Sequence, residues 1–249
     1  MPADFRFAIK APREVTHGLT PEGALANAQG PEPGHFDQPA ALAVMERVLE
    51  NVLVLGGRLG PVLMQFPPAF DDRARSELAG FLDRLAPVVE RARATAPNLR
   101  LALEFRHASW ETPSTAAMLS EKNMALVHAD HTPRRGVAGT ETSGATQPPL
   151  VATSDVLYLR FLGRHGQFRE RNHEQLDPTV RLAWWKKQVD ALCMVAPDVR
   201  TVYAFFDNDF AGFAPATAAR FAEVVGTALP KWESVAPKET PTLFDLDSG

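Results

Sequence analysis

Leu99-Arg100-Leu101-Ala102-Leu103-Glu104-Phe105-Arg106-His107-Ala108-Ser109-Trp110 begins as an apolar run of strand length and ends in charge. Side chains alternate along an extended chain. Leu101, Leu103 and Phe105 therefore share one face, and Ala102, Glu104 and Arg106 the other. A Glu and an Arg on one face are expensive to bury unless they pair or serve a ligand. His107, Ser109 and Trp110 then lead into Thr112-Pro113, an N-cap followed by a residue suited to the first helical position. Strand, polar cluster, helix is the order at the C-terminal end of a parallel strand, where α/β folds build their sites. Taken alone, the stretch reads equally well as a structural Glu–Arg pair at a strand end.

The same alternation repeats along the chain. Strands are predicted at 5–10, 60–66, 100–106, 125–130, 156–161 and 201–206, each an apolar run closed by Pro, Gly or charge. Helices are predicted at 39–55, from Asp71 or Asp72 onward with Leu78, Phe81, Leu82 and Leu85 inward, and at 113–121, 177–196 and 214–229. Pro87 marks a kink or a second helical segment. Residues 11–38 read as a long loop with a short helix near Pro21, and 131–154 as a second loop, either a lid or a simple connection. Gly56-Gly57 reads as a helix stop, because a phosphate-cradling Gly loop follows a strand and opens a helix. Strands alternating with helices imply a parallel sheet in one α/β domain over 1–230, with a polar tail over 231–249. Periodicity alone leaves an open doubly wound sheet and a closed barrel both standing. The apolar island Thr242-Leu243-Phe244-Asp245-Leu246 reads as packing on the domain's own surface or as a docking peptide.

The chain has 249 residues, 45% of them hydrophobic, and a net charge of −4, which argues against a general nucleic-acid coat protein. One cysteine, Cys193, excludes an internal disulfide and reads as a buried inert thiol. No run is long and apolar enough for a membrane span, and no signal peptide is visible at Met1-Pro2-Ala3-Asp4-Phe5. The cytoplasm is the expected compartment, with no membrane partner.

The polar residues collect at one end of the predicted strands. In chain order they are Lys10, Gln65, Glu104 with Arg106 and His107, His128 with Asp130, Arg160, and Asp207 with Asn208 and Asp209. Parallel strands would bring them to one rim. Three chemistries fit such a rim. Lys10, Arg13, Arg106, Arg160 and Arg164 form a basic mouth that selects anions, whereas Arg169 and Arg171 read as solvated loop charges. Glu104, His107, His128, Asp130 and Asp207 are metal-ligand types, but without compact metal spacing. Glu104 alone could serve as an acid or base, ionised beside Arg106 or neutral in an apolar pocket. A Ser–His–acid triad from Ser109 and His107 is possible on paper only.

Five motifs now resemble one family. They are Phe7-Ala8-Ile9-Lys10-Ala11-Pro12 with Thr16-His17; Leu59 to Pro68; Glu104 to Trp110; Tyr158-Leu159-Arg160-Phe161; and Phe206-Asp207-Asn208-Asp209 followed by Gly212 and Ala214-Pro215. In this order, from the start to about residue 230, they resemble the DUF72 family. The resemblance implies a TIM-type (β/α) barrel, reminiscent of the endonuclease IV and xylose isomerase group, and no known reaction. Fold likeness to those enzymes is an analogy only. The chain departs from the family pattern in three places. A Gly-Trp-Ser segment and two βα units that normally precede the Phe-Lys-Ala-Pro strand are absent, which leaves six strands of an expected eight. The usual Arg-Phe-His-Gly is Arg160-Phe161-Leu162-Gly163. The usual Asn-Asn is Asp207-Asn208.

The expectation is an incomplete TIM-type barrel whose Arg-rich mouth binds or acts on a small anionic or phosphate-bearing ligand. Arg106 and Arg160 would hold the anion, with Lys10, His17, Gln65, Trp110, Asp130 and Asn208 as further binding residues. Glu104, His107 and Asp207 would be the catalytic candidates. The alternatives are a metal-dependent phosphodiesterase acting on nucleic acid and a non-catalytic binding module. No metal ligand set and no cofactor is assigned.

Overall fold

The structure is a computed structural model in which residues 4–18, 30–130 and 149–227 are described. The short helix expected near Pro21, most of the loop expected over 131–154, and the tail with its Thr242–Leu246 island lie outside those residues.

Six strands form one sheet in sequence order, and every neighbouring pair is parallel. They are β1 (Phe7–Lys10), β2 (Leu59–Gln65), β3 (Leu101–Glu104), β4 (Ala125–Asp130), β5 (Val156–Phe161) and β6 (Thr201–Phe206). Parallel neighbours need crossovers. Among the described residues, α1 (Arg13–Thr16) and α2 (Pro39–Val52) lie between β1 and β2, α3 (Arg75–Arg93) between β2 and β3, α4 (Pro113–Ser120) between β3 and β4 and α5 (Thr179–Val195) between β5 and β6, while α6 (Asn208–Ala211) and α7 (Ala214–Val225) follow β6. The order of strands without reversal, together with the curl of the sheet, makes this an incomplete TIM-type barrel rather than a doubly wound sheet. The curl is visible across the concave side. A Cβ added at Gly60 on β2 would sit 3.4 Å from the Tyr203 hydroxyl on β6 and 3.1 Å from the Phe7 carbonyl oxygen on β1. Glycine at 60 lets three strands approach there.

Strand parity sorts the side chains into two layers. Val62 and Met64 of β2 and Leu101 and Leu103 of β3 pack outward against α2 and α3, with Met45, Leu49, Phe81 and Leu82. Leu157, Leu159 and Phe161 of β5 pack outward against Trp185 and Phe221. The opposite parity faces inward: Leu63, Ala102, Ala125, Val127, Val156 and Tyr158 are buried together, with Tyr203 and Phe205 beside them.

Local signals explain the helix starts. The Thr112 hydroxyl accepts from the Thr115 N–H at 3.2 Å, and Pro113 follows at the first helical position. The structure departs from the sequence expectation at Pro87 and at the end of β3, among other shifts of a few residues at element ends. Pro87 lies inside α3, which runs unbroken from Arg75 to Arg93. The lost backbone bond is absorbed by a long helix whose inner face buries Leu78, Phe81, Leu82, Leu85 and Val89. Strand β3 ends at Glu104, so Arg106 stands beyond the ladder, on the loop toward the 3₁₀ turn Ala108–Trp110.

Candidate functional site

Glu104 ends β3 on the inward face, directly opposite Gln65 of β2 in register. Its carboxylate is 1% exposed. Gln65 Nε2 donates to Oε1 at 2.8 Å, Arg106 Nε donates to Oε1 at 3.2 Å, and Arg160 Nη1 donates to Oε2. Arg160 comes from β5, two strands away. Between them β4 places Val127 and Ala129 on the same parity, side chains short enough for Arg160 to reach across. On the other side, Lys10 of β1 is aligned with Leu63 and reaches up to Gln65, where Nζ donates to Oε1 at 2.7 Å. Lys10, Gln65, Glu104 and Arg160 are thus one hydrogen-bonded chain across four strands, with Arg106 added from the loop.

The electrostatics of this chain are lopsided. Burial opposes charge on Glu104, but the attraction of Arg160, hydrogen bonds from Gln65 and Arg160, and the field of Arg106 together hold it below the usual carboxylate range. Glu104 is therefore ionised, not a neutral acid. Lys10 is pushed below its ordinary value by burial, by Arg160 and by Arg106, with Arg13 adding to this and Glu104 opposing it. His17 follows α1, with Nδ1 2.9 Å from the Thr16 hydroxyl. Its pKa is lowered to about 4 by burial and by the fields of Arg13, Lys10 and Arg106, so the ring is neutral at pH 7. Below the charged chain, Tyr158 stacks on Phe205 with ring centroids 4.7 Å apart, and Tyr203 lies against the same ring. Sequence reasoning missed this aromatic floor. Its signal was available in the shared parity of Tyr158 with Arg160.

Other candidates are placed elsewhere. Asp130 has the opposite parity and lies between sheet and helices, 1% exposed, bound by the Arg181 guanidinium and by Trp185 Nε1 at 2.6 Å. His128 is on that outer face too, its Nε2 3.0 Å from the Val151 carbonyl, and burial pushes its pKa down. The expectation that all strand ends converge on one mouth is corrected for these two residues. Arg181 was not foreseen, since nothing local in α5 marks it as the partner of a residue 51 positions earlier.

His107 and Ser109 do meet, as parts of a turn. Ser109 Oγ accepts from the Asp72 N–H at 2.9 Å, which leaves its proton for His107 Nδ1 at 2.9 Å. Nδ1 also caps the Ser109 N–H, so that nitrogen orders the turn. Trp110 is buried beneath it, Nε1 donating to the Phe70 carbonyl at 2.8 Å and its ring stacked on Phe105 at 4.3 Å. Asp207 caps α6 by accepting from the Asp209 N–H at 2.9 Å, and Asn208 Oδ1 accepts from the Ala214 N–H at 2.8 Å. Asp209, 2% exposed, anchors the loop after β5 through the Gly166 N–H and Arg171. Arg171 is thus paired rather than simply solvated. Gly163 fits the same contact, since a Cβ there would fall 1.9 Å from the Asp209 carbonyl oxygen. Among the described residues, no three His, Cys, Asp or Glu side chains converge as a metal cluster.

The chain belongs to the family described as protein of unknown function DUF72, whose model matches residues 1–241. Among solved structures, it is similar to a DUF72 family protein of Thermotoga maritima, at 26% identity and a TM-score of 0.56, covering 90% of this chain and 75% of that one. Two structures of a DUF72 family protein of Enterococcus faecalis share the fold at 19% and 18% identity. Their TM-scores are 0.56 and 0.55, covering 92% and 91% of this chain and 77% and 80% of theirs. No curated protein matches.

Proposed function

We propose that the inward-facing end of β1, β2, β3 and β5 binds a small anion, a carboxylate or phosphate, between Arg106, Arg160 and Lys10. One observation carries this reading: among the described residues, a single buried carboxylate, Glu104, is set among more cations than it can neutralise. Arg106 is 35% exposed and Arg160 is 20% exposed, so both present donors beyond those given to Glu104. An arginine already fixed by a carboxylate meets an incoming anion with little ordering cost. In this reading Glu104 orients the guanidinium groups and is not itself the proton donor. His17 lines the approach as a neutral acceptor and donor.

Calorimetric titration with inorganic phosphate and with oxalate tests the proposal. The expected result is saturable binding of at least one, weakened about tenfold in Arg160→Gln with the fold retained. Binding unchanged in Arg160→Gln, or no binding of either anion, overturns it. A DNA oligonucleotide that binds with steep salt dependence where both small anions fail would favour the nucleic-acid alternative.

A further inference from the structure

The lysines of this protein do not stand in equivalent surroundings. Lys122 Nζ sits 2.6 Å from an Asp83 carboxylate oxygen, and Lys186 Nζ sits 2.5 Å from Asp190. Lys10 instead donates to the neutral amide oxygen of Gln65 at 2.7 Å, its hydrogen-bond partner among the described residues. Gln65 spends its other end on Glu104, so among the described residues no carboxylate hydrogen-bonds Lys10, and the charge of Glu104 acts on it from beyond that amide. The charges of Arg160 from β5, Arg106 from the loop after β3 and Arg13 from α1 act on the same amine in the opposite sense. Lys10 is also on the exposed side of the rim, at the end of its strand. An ammonium near guanidinium groups and hydrogen-bonded to an amide rather than to a carboxylate loses its proton more readily than an ordinary lysine, and the free amine is the nucleophilic form.

We propose that Lys10 is a Schiff-base lysine for a small carbonyl compound that carries an anionic group, its carboxylate or phosphate held by Arg106 and Arg160. The inference rests on the anion-binding reading above and adds the reacting atom and the substrate class. The Nζ lone pair forms a bond to the carbonyl carbon, and the carbonyl π pair moves to oxygen, which takes up a proton. That proton is one of the two on the amine, and the product is a carbinolamine. The nitrogen lone pair then closes a C=N bond while the hydroxyl, protonated by solvent, leaves as water; the nitrogen keeps its second proton, and the product is the iminium. No oxidant or reductant is consumed. The hydrogen-bonded chain through Gln65 and Glu104 links the amine to both guanidinium groups, which suits a substrate whose anionic end and carbonyl carbon are close together. The Tyr158–Phe205 stack beneath supplies an apolar floor for the carbon skeleton.

The experiment is reductive trapping on the whole protein with sodium cyanoborohydride, using glyoxylate and glycolaldehyde phosphate as anionic probes and acetaldehyde as the uncharged control. Labelled lysines are located by peptide mass spectrometry. The expected result is that Lys10 is labelled by at least one anionic probe about tenfold faster than Lys122, Lys186 or Lys187, and that acetaldehyde shows a smaller preference. Arg160→Gln should slow anionic labelling of Lys10 toward the acetaldehyde rate. Glyoxylate alone succeeding assigns a carboxylate-bearing substrate, and glycolaldehyde phosphate alone a phosphate-bearing one. Lys10 labelled no faster than the other lysines overturns the proposal. Oxalate and inorganic phosphate titrated in parallel separate the two readings: either anion bound without selective Lys10 labelling leaves the anion site standing and removes the Schiff base, and failure of both anions and of the labelling removes both.

Discussion

Two ion pairs join β3 to β5 from opposite ends of the half-barrel. At the N-terminal end, Arg100 precedes β3 and Asp155 precedes β5. They meet through two parallel bonds of 2.6 Å, and Arg100 Nη1 donates to the Pro97 and Leu99 carbonyls at 3.0 and 2.7 Å. Asp155 is held below the usual carboxylate range mainly by the Arg100 hydrogen bonds, with burial opposing them. One cation meets one anion, and four of the five guanidinium N–H groups are engaged. At the C-terminal end, Glu104 and Arg160 repeat the β3–β5 link, but Arg106, Lys10 and Gln65 are added. The first pair is a closed clamp. The second is an oversupplied one whose surplus positive charge faces the rim. A strand-end ion pair is therefore not by itself a site; an ion pair with unequal sides is a candidate for one.

The comparison breaks most visibly in the closed clamp. Asp155→Ala leaves the Arg100 guanidinium without its bidentate partner, and Arg100 is 10% exposed. A loss of about 3 kcal/mol of stability is expected, read by urea denaturation, with oxalate or phosphate binding unchanged in the folded protein. Weakened anion binding would mean that the two ends are not independent.

Glu104→Gln keeps the shape and removes the charge, leaving Arg106, Arg160 and Lys10 to repel one another. Stability at pH 7 is expected to fall by about 2 kcal/mol. The pH dependence sharpens this. The folded pKa of Glu104 lies below the ordinary 4.5, so its contribution is present above that value and is lost as pH falls through the lowered one. The gap between wild type and variant should therefore close in the acid range below 4.5. A gap that stays constant there would show that shape, not charge, accounts for the effect.

Arg160→Gln should cost about tenfold in anion affinity, about 1.4 kcal/mol, with a smaller effect on stability, because Arg106 and Gln65 still serve Glu104. The smallest effect concerns His17. With its pKa lowered to about 4, its imidazole resonances should not titrate between pH 5 and pH 8, as checked by NMR. Because its folded pKa lies below the ordinary 6.5, His17 lowers stability only as pH falls from 6.5 toward 4. Titration near 6.5 would mean that the ring is hydrated rather than buried and that the positive field of Arg13, Lys10 and Arg106 is screened.

Much of this was legible before any coordinates. Six apolar runs alternating with amphipathic helices require a parallel α/β sheet, because strands joined by helices cannot pair antiparallel without rearranging the crossovers. The alternation within Leu101–Glu104 places Glu104 opposite the outward leucines. The Thr112-Pro113 start, the Gly56-Gly57 stop and the family motifs are all local, and a local pattern can be read locally. Parity even separates Tyr158 and Arg160 from Leu159 and Phe161 without a structure.

What only the tertiary structure decided is phase between strands. Parity says that Asp130 and Ala129 point opposite ways, but not which way is in. That depends on hydrogen-bond register with β3 and β5 and on the direction in which the sheet curls. The curl sends Ala129 inward and Asp130 out to Arg181, a partner 51 residues later that no local signal reveals. It also brings Lys10, Gln65, Glu104 and Arg160 from four strands into one hydrogen-bonded line. The sequence determined the strands, their faces and the charges at their ends. Register and curl decided which charges meet, because burial energy depends on neighbours that the chain supplies from far along its length.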